Sequence, residues 1–102
     1  MPLIVNEYVH EEVGCKKVYT FGINLPRGAK VLSARVRHVP TGSVDYVTVH
    51  AEVDTEEDEV YPRTFCVLEN GYGIPKDDHF GWLFLCSDFG NEITKHIYVR
   101  II

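Results

Sequence analysis

The residues of this chain whose types suit chemistry are five histidines, three cysteines and a few clustered acids, and their spacing decides what they can do. His10, His38, His50, His79 and His96 form no H-E-x-x-H or H-x-H pair, the spacings that bring two imidazoles onto one ion, so no metal site is expected. Lys76-Asp77-Asp78-His79 gathers two carboxylates, but neighbours in a loop seldom converge on one Mg²⁺, and an exposed loop is the simpler account. Ser33, Ser43 and Ser87 lie in no nucleophile elbow. Lys16 and Lys17 beside Cys15 favour a thiolate there, yet no partner base accompanies it, and the thiol reads as incidental. Gly71-x-Gly73 lacks the following helix and the Lys-Ser/Thr of a phosphate loop. No catalytic residue and no cofactor is expected, and the chain reads as a non-enzyme.

Binding chemistry is better represented. Arg35, Arg37 and Arg100, interspersed with Tyr46, His50, His96 and Tyr98, combine guanidinium forks suited to phosphate with aromatic planes suited to bases. The plainer account of the same residues is a solvent-facing set of cross-strand pairs. A ligand site built from them would use Arg35, Arg37 and Arg100 for phosphate and Tyr46 and Tyr98 for stacking. Tyr72, in the loop Gly71-Tyr72-Gly73-Ile74-Pro75, would serve as a lid.

Strands must position these residues. Apolar residues recur with period two, and Val, Ile, Thr, Tyr and Phe dominate the candidate segments, so the expected class is all-β. Strands are read at Leu3–Val9, Val18–Asn24, Lys30–Val39, Val44–Asp54, Arg63–Glu69, Phe80–Asp88 and Glu92–Ile101, with no convincing helix. Leu25-Pro26-Arg27-Gly28, Pro40-Thr41-Gly42-Ser43 and Gly90-Asn91 supply tight turns. The expected architecture is a single-domain antiparallel sandwich or small barrel of about seven strands over residues 1–102. Alternation puts Leu32, Ala34 and Val36 in the core, with Val47, Val49, Ala51 and Val53, and Ile93, Ile97, Val99 and Ile101. The opposite sides of these three strands form one basic, aromatic back face. Phe80–Cys86 is apolar on both sides and is expected to be covered twice, by the core and by another element or subunit. Trp82 and Phe84 would anchor a homo-oligomer, a dimer or tetramer.

Composition narrows the function. The 102 residues are 45% hydrophobic and 25% charged, the balance of a globular domain. The net charge of −5 is concentrated: six acids fall between Glu52 and Glu59, leaving nine acids against ten bases elsewhere. An acidic stretch on a near-neutral body argues against duplex nucleic acid as a partner and leaves a small anionic ligand open. The stretch itself reads as a solvated, mobile connection. Three widely spaced cysteines suit a reducing compartment rather than a disulfide framework. No apolar run approaches a membrane span, and Met1 to Glu7 lack the layout of a secretion signal, so no membrane partner is expected.

The order of the elements resembles a family of short tailed-bacteriophage proteins. The resemblance rests on Tyr8, Pro26-Arg27-Gly28-Ala29, Leu32-Ser33, Ala51-Glu52-Val53-Asp54, Arg63-Thr64-Phe65, Gly71-Tyr72-Gly73, and Trp82 with Tyr98. It covers nearly the whole chain. The sequence departs from that pattern at Val49-His50, where the family has a Trp before A-x-V-D, and at Tyr98-Val99, where it has Trp-His. The resemblance implies a phage protein acting in the host cytoplasm. By analogy of context and size, the expectation is a sponge that sequesters a cyclic nucleotide immune signal of the host, with a symmetric dinucleotide held between two copies. The alternatives are a small acidic protein-interaction module inhibiting a host protein, with Glu52 to Glu59 imitating nucleic-acid charge, and a minor phage structural protein.

Overall fold

The computed structural model describes residues 2–14, 16–74, 81–90 and 92–100. Seven strands form: β1 Leu3–Val13, β2 Val18–Pro26, β3 Lys30–Val39, β4 Val44–Asp54, β5 Val60–Glu69, β6 Trp82–Asp88 and β7 Lys95–Arg100. They make two antiparallel sheets, ordered β1-β4-β3 and β2-β5-β7-β6. The core lies between them, with Ala34, Val36, Val47, Val49, Ala51 and Val53 from the first sheet facing Tyr19, Phe21, Leu25, Phe65, Val67, Ile97 and Val99 from the second. The fold is therefore the sandwich form of the expected all-β class. Among the described residues, no helix is long and apolar enough to cross a membrane.

Period-two burial of β4, with Val47, Val49 and Ala51 fully inaccessible, places this strand at the centre of its sheet. The inward faces of β3, β6 and β7 need correction. The β3–β4 register shifts between Val31 and Ser33, so Leu32 is 42% exposed and Val31 packs on the core in its place. Strand β7 begins at Lys95, and Ile93 lies outside it, 46% exposed. A second shift lies between Phe84 and Cys86, and both Leu85 and Cys86 pack on the core. This bulge, on an edge strand, turns both Leu85 and Cys86 to the core, while Leu83 and Phe84 before it are each more than half exposed. Phe80, Asn91, Ile101, Cys15 and the Asp77-Asp78-His79 cluster fall outside the described residues.

Side chains of β6 close one side of the sandwich against the free edge of β3. The Val36 amide donates to Asp88 Oδ2 at 2.7 Å, and the Cys86 thiol donates to the Ala34 carbonyl at 3.1 Å. Burial pushes the Cys86 thiol up, with the Asp88 charge acting in the same sense, and keeps it a donor. The turn after β2 needs Gly28, whose φ of +79° a side chain would strain, and it is closed by the Ala29 amide on the Pro26 carbonyl. In the turn after β3 the left-handed residue is Ser43 rather than Gly42. The acidic connection is tied down rather than free. Arg27 reaches Glu57 at 2.9 Å and Glu59 at 3.1 Å, and the Tyr61 hydroxyl donates to Glu59.

Candidate ligand-binding groove

Register arranges the outer face of the β1-β4-β3 sheet as three rows across the strands. Glu7, His50 and Ser33 form one, Val9, Thr48 and Arg35 the next, and Glu11, Tyr46 and Arg37 the third. The middle row has the small side chains Val9 and Thr48 between walls of imidazole, phenol and guanidinium. The result is a trough across the sheet, about 600 Å³, lined by Glu7, Val9, Arg35, Arg37, Tyr46, Thr48 and His50. It runs over the β3 edge to Asp88 and Gly90.

The polar groups of the trough divide into engaged and available ones. Glu7 accepts from His50 Nε2 at 3.1 Å. Asp88 accepts from the Val36 amide with one oxygen and from the Gly90 amide with the other. Arg37 lies over the Tyr46 ring, 5.2 Å from its centroid, which fixes both planes. Arg35 has no side-chain hydrogen bond or ion pair among the described residues and is exposed. Glu7 and Asp88 thus each accept from protein donors, while a guanidinium fork stands open beside a fixed aromatic plane. Such a site suits an anionic group attached to a planar ring.

The other expected site residues lie elsewhere. Tyr98 and Arg100 belong to β7 in the second sheet, so the single back face expected from three strands is divided between two sheets. There they join Trp82 and Phe84. Arg100 stacks on Trp82 at 4.3 Å, and Phe84 meets the edge of Tyr98 at 5.4 Å. His96, beside them, bonds Ser87 at 2.7 Å and donates to Asn70 Oδ1 at 2.6 Å. Tyr72 lies at the end of β5, its ring 5.8 Å from Lys17 Nζ, and does not line the trough.

No family model, curated protein sequence or solved structure matches this chain.

One polar cluster went unforeseen. At one end of the sandwich, Tyr19, His38, Asp45, Glu69 and Lys95 converge from five strands. Lys95 Nζ sits 2.9 Å from Glu69 and 3.5 Å from Asp45, with Lys95 and Asp45 each 4% exposed. Asp45 also accepts from the Tyr19 hydroxyl and from His38 Nδ1, both at 2.7 Å. Burial, then the Asp45 carboxylate, raises the Tyr19 hydroxyl well above the usual tyrosine range, so it remains a donor. The sequence signal was phase: Asp45 alternates with Val47 and Val49, and Lys95 with Ile97 and Val99, on the core side. A Lys95 ammonium committed to two carboxylates is no nucleophile, and the cluster closes the end of the core.

Proposed function

We propose that this chain is a stoichiometric binding protein for a nucleotide, without catalytic turnover, and that the trough on the outer face of the β1-β4-β3 sheet is its site. The observation that carries the reading is the open Arg35 fork beside the Arg37–Tyr46 stack. Arg35 would bind phosphate, Tyr46 would stack the base with Arg37 holding its plane, and His50 and Thr48 would line the sugar edge. Tyr98, Arg100 and Tyr72, remote from the trough, are left out of the site. In its specific form the ligand is a cyclic nucleotide immune signal and the protein a phage sponge in the host cytoplasm. That form rests on the family resemblance of the sequence. A homo-oligomer belongs to the same reading.

Calorimetry against a panel of cyclic and linear nucleotides tests it. A charge-assisted hydrogen bond contributes about 1.5–3 kcal/mol, and base stacking about 1–3 kcal/mol. Wild-type protein is expected to give heat with at least one cyclic nucleotide. Arg35→Glu should weaken that binding by at least about tenfold to hundredfold, with unfolding unchanged. No heat from the wild type with any member of the panel moves the assignment to the protein-interaction class.

A further inference from the structure

The two sheets offer unequal edges. The β3 edge is occupied by Asp88 and Cys86 of β6, and β2 is interrupted by Gly22 and ended by Pro26. Strand β1 has no such protection. It pairs with β4 in unbroken register over all eleven residues, Leu3 to Val13, and among the described residues no strand pairs with its other side. It has no proline, no lysine and no bulge; its acids are Glu7 and Glu11 on the outer side and Glu12 on the inner side, the last already paired with His10 and Lys16. Leu3, Val5, Val9 and Val13, each more than half exposed, line its outer side.

We propose that the occupant of this edge is the β1 strand of a second copy of the chain, joined antiparallel about a two-fold axis at Tyr8. A two-fold axis normal to the sheet keeps outward residues outward, so only even register steps are allowed. Centred on Tyr8, the midpoint of the strand, all eleven residues pair: Leu3 with Val13, Val5 with Glu11 and Glu7 with Val9 on the outer side. No like charges stand opposite. One step either way loses overlap and sets Glu7 against its own copy, or Glu7 against Glu11, an unfavourable opposition. Diagonally, Val5 of one copy reaches Val9 and Val13 of the other, so the exposed aliphatic side chains cluster across the seam. Length, charge and apolar pattern select the same register, which an unrelated peptide would have no reason to share.

The consequence for the ligand rests on the trough being its site; the assembly itself does not. Pairing makes one six-stranded face with a trough on each half, each reaching the seam at Glu7 and Val9. The two β3 strands lie five strand spacings apart, about 24 Å at about 4.8 Å each. The two Arg35 side chains are then too far apart to share one small ligand, so each chain binds its own. This replaces the expectation of one symmetric dinucleotide between two copies.

Sedimentation of ligand-free protein over a concentration series, with register-specific cross-linking, is the test. Wild type is expected to be a dimer, and Val9→Glu, which sets a carboxylate against Glu7 of the other copy twice, a folded monomer by circular dichroism. Val5→Cys/Glu11→Cys should form a covalent dimer on oxidation, and neither single variant should. A wild-type monomer throughout overturns the proposal. So does a dimer that survives Val9→Glu and is lost in Phe84→Ala, which would put the contact on β6. Calorimetric stoichiometry on wild-type protein is read separately: one nucleotide per chain is expected, and one per two chains contradicts the separate troughs without bearing on the assembly.

Discussion

Arg35, on the outer face of one sheet, and Lys95, buried at the end of the core between the sheets, carry the same charge, and their surroundings give that charge opposite uses. Lys95 is consumed by Glu69 and Asp45 inside the core. Removing it leaves Asp45 to His38 and Tyr19, and Glu69 to Lys17 at 3.8 Å, so Lys95→Met should destabilise the fold by about 3 kcal/mol in urea unfolding, the low end for a broken buried pair, although methionine fills the volume. A loss below about 1 kcal/mol would show that the cluster is hydrated rather than buried. Glu12 makes a pH-dependent contribution. Burial raises its carboxyl, but Lys16 at 2.6 Å and His10 at 2.8 Å outweigh this and hold it below its ordinary value. A carboxyl lowered in the folded state stabilises above its unfolded pKa, and that stability disappears as pH falls through the folded value. The stability lost in Glu12→Gln should therefore be full at neutral pH and shrink below the ordinary carboxylate range. A difference independent of pH would contradict the ion-pair account.

At the scale of elements, the β3–β6 clasp is a joint between sheets made by one carboxylate and one thiol. Asp88→Ala removes the 2.7 Å acceptor of the part-buried Val36 amide, which should cost about 1–3 kcal/mol and speed hydrogen exchange at Val36 above that at Val47. Equal protection in both proteins would mean another acceptor serves. Strand positions were legible because alternation marks β4, and Pro26 with Gly28 marks the turn. Bulges were not: an extra residue at Leu32 or Leu85 changes phase without any change in residue type, so alternation alone puts Leu32 inside. The division of strands between sheets was also hidden. Outward parity groups Arg35, Tyr46 and Arg100 equally well, and only pairing separates β7 from β3 and β4. Arg35, Arg37 and Tyr46 of the expected binding set therefore came together in the trough, while Arg100 and Tyr98 joined the Trp82 and Phe84 stacks and Tyr72 lies by Lys17.

For the molecule as a whole, the sheets have different roles. The four-stranded sheet engages Trp82 with Arg100 and Phe84 with Tyr98, whereas the three-stranded sheet presents the open Arg35 guanidinium and, among the described residues, the unbulged edge strand β1 on one continuous surface. Ligand and second copy are thus expected on the same sheet. Amide chemical-shift mapping of isotope-labelled protein, titrated with the nucleotide that gives heat, tests this directly. The predicted result is a set of perturbed amides at Arg35, Arg37, Tyr46, Thr48 and His50, with His96, Tyr98 and Arg100 unmoved. Perturbation centred on β6 and β7, with the trough silent, would contradict it.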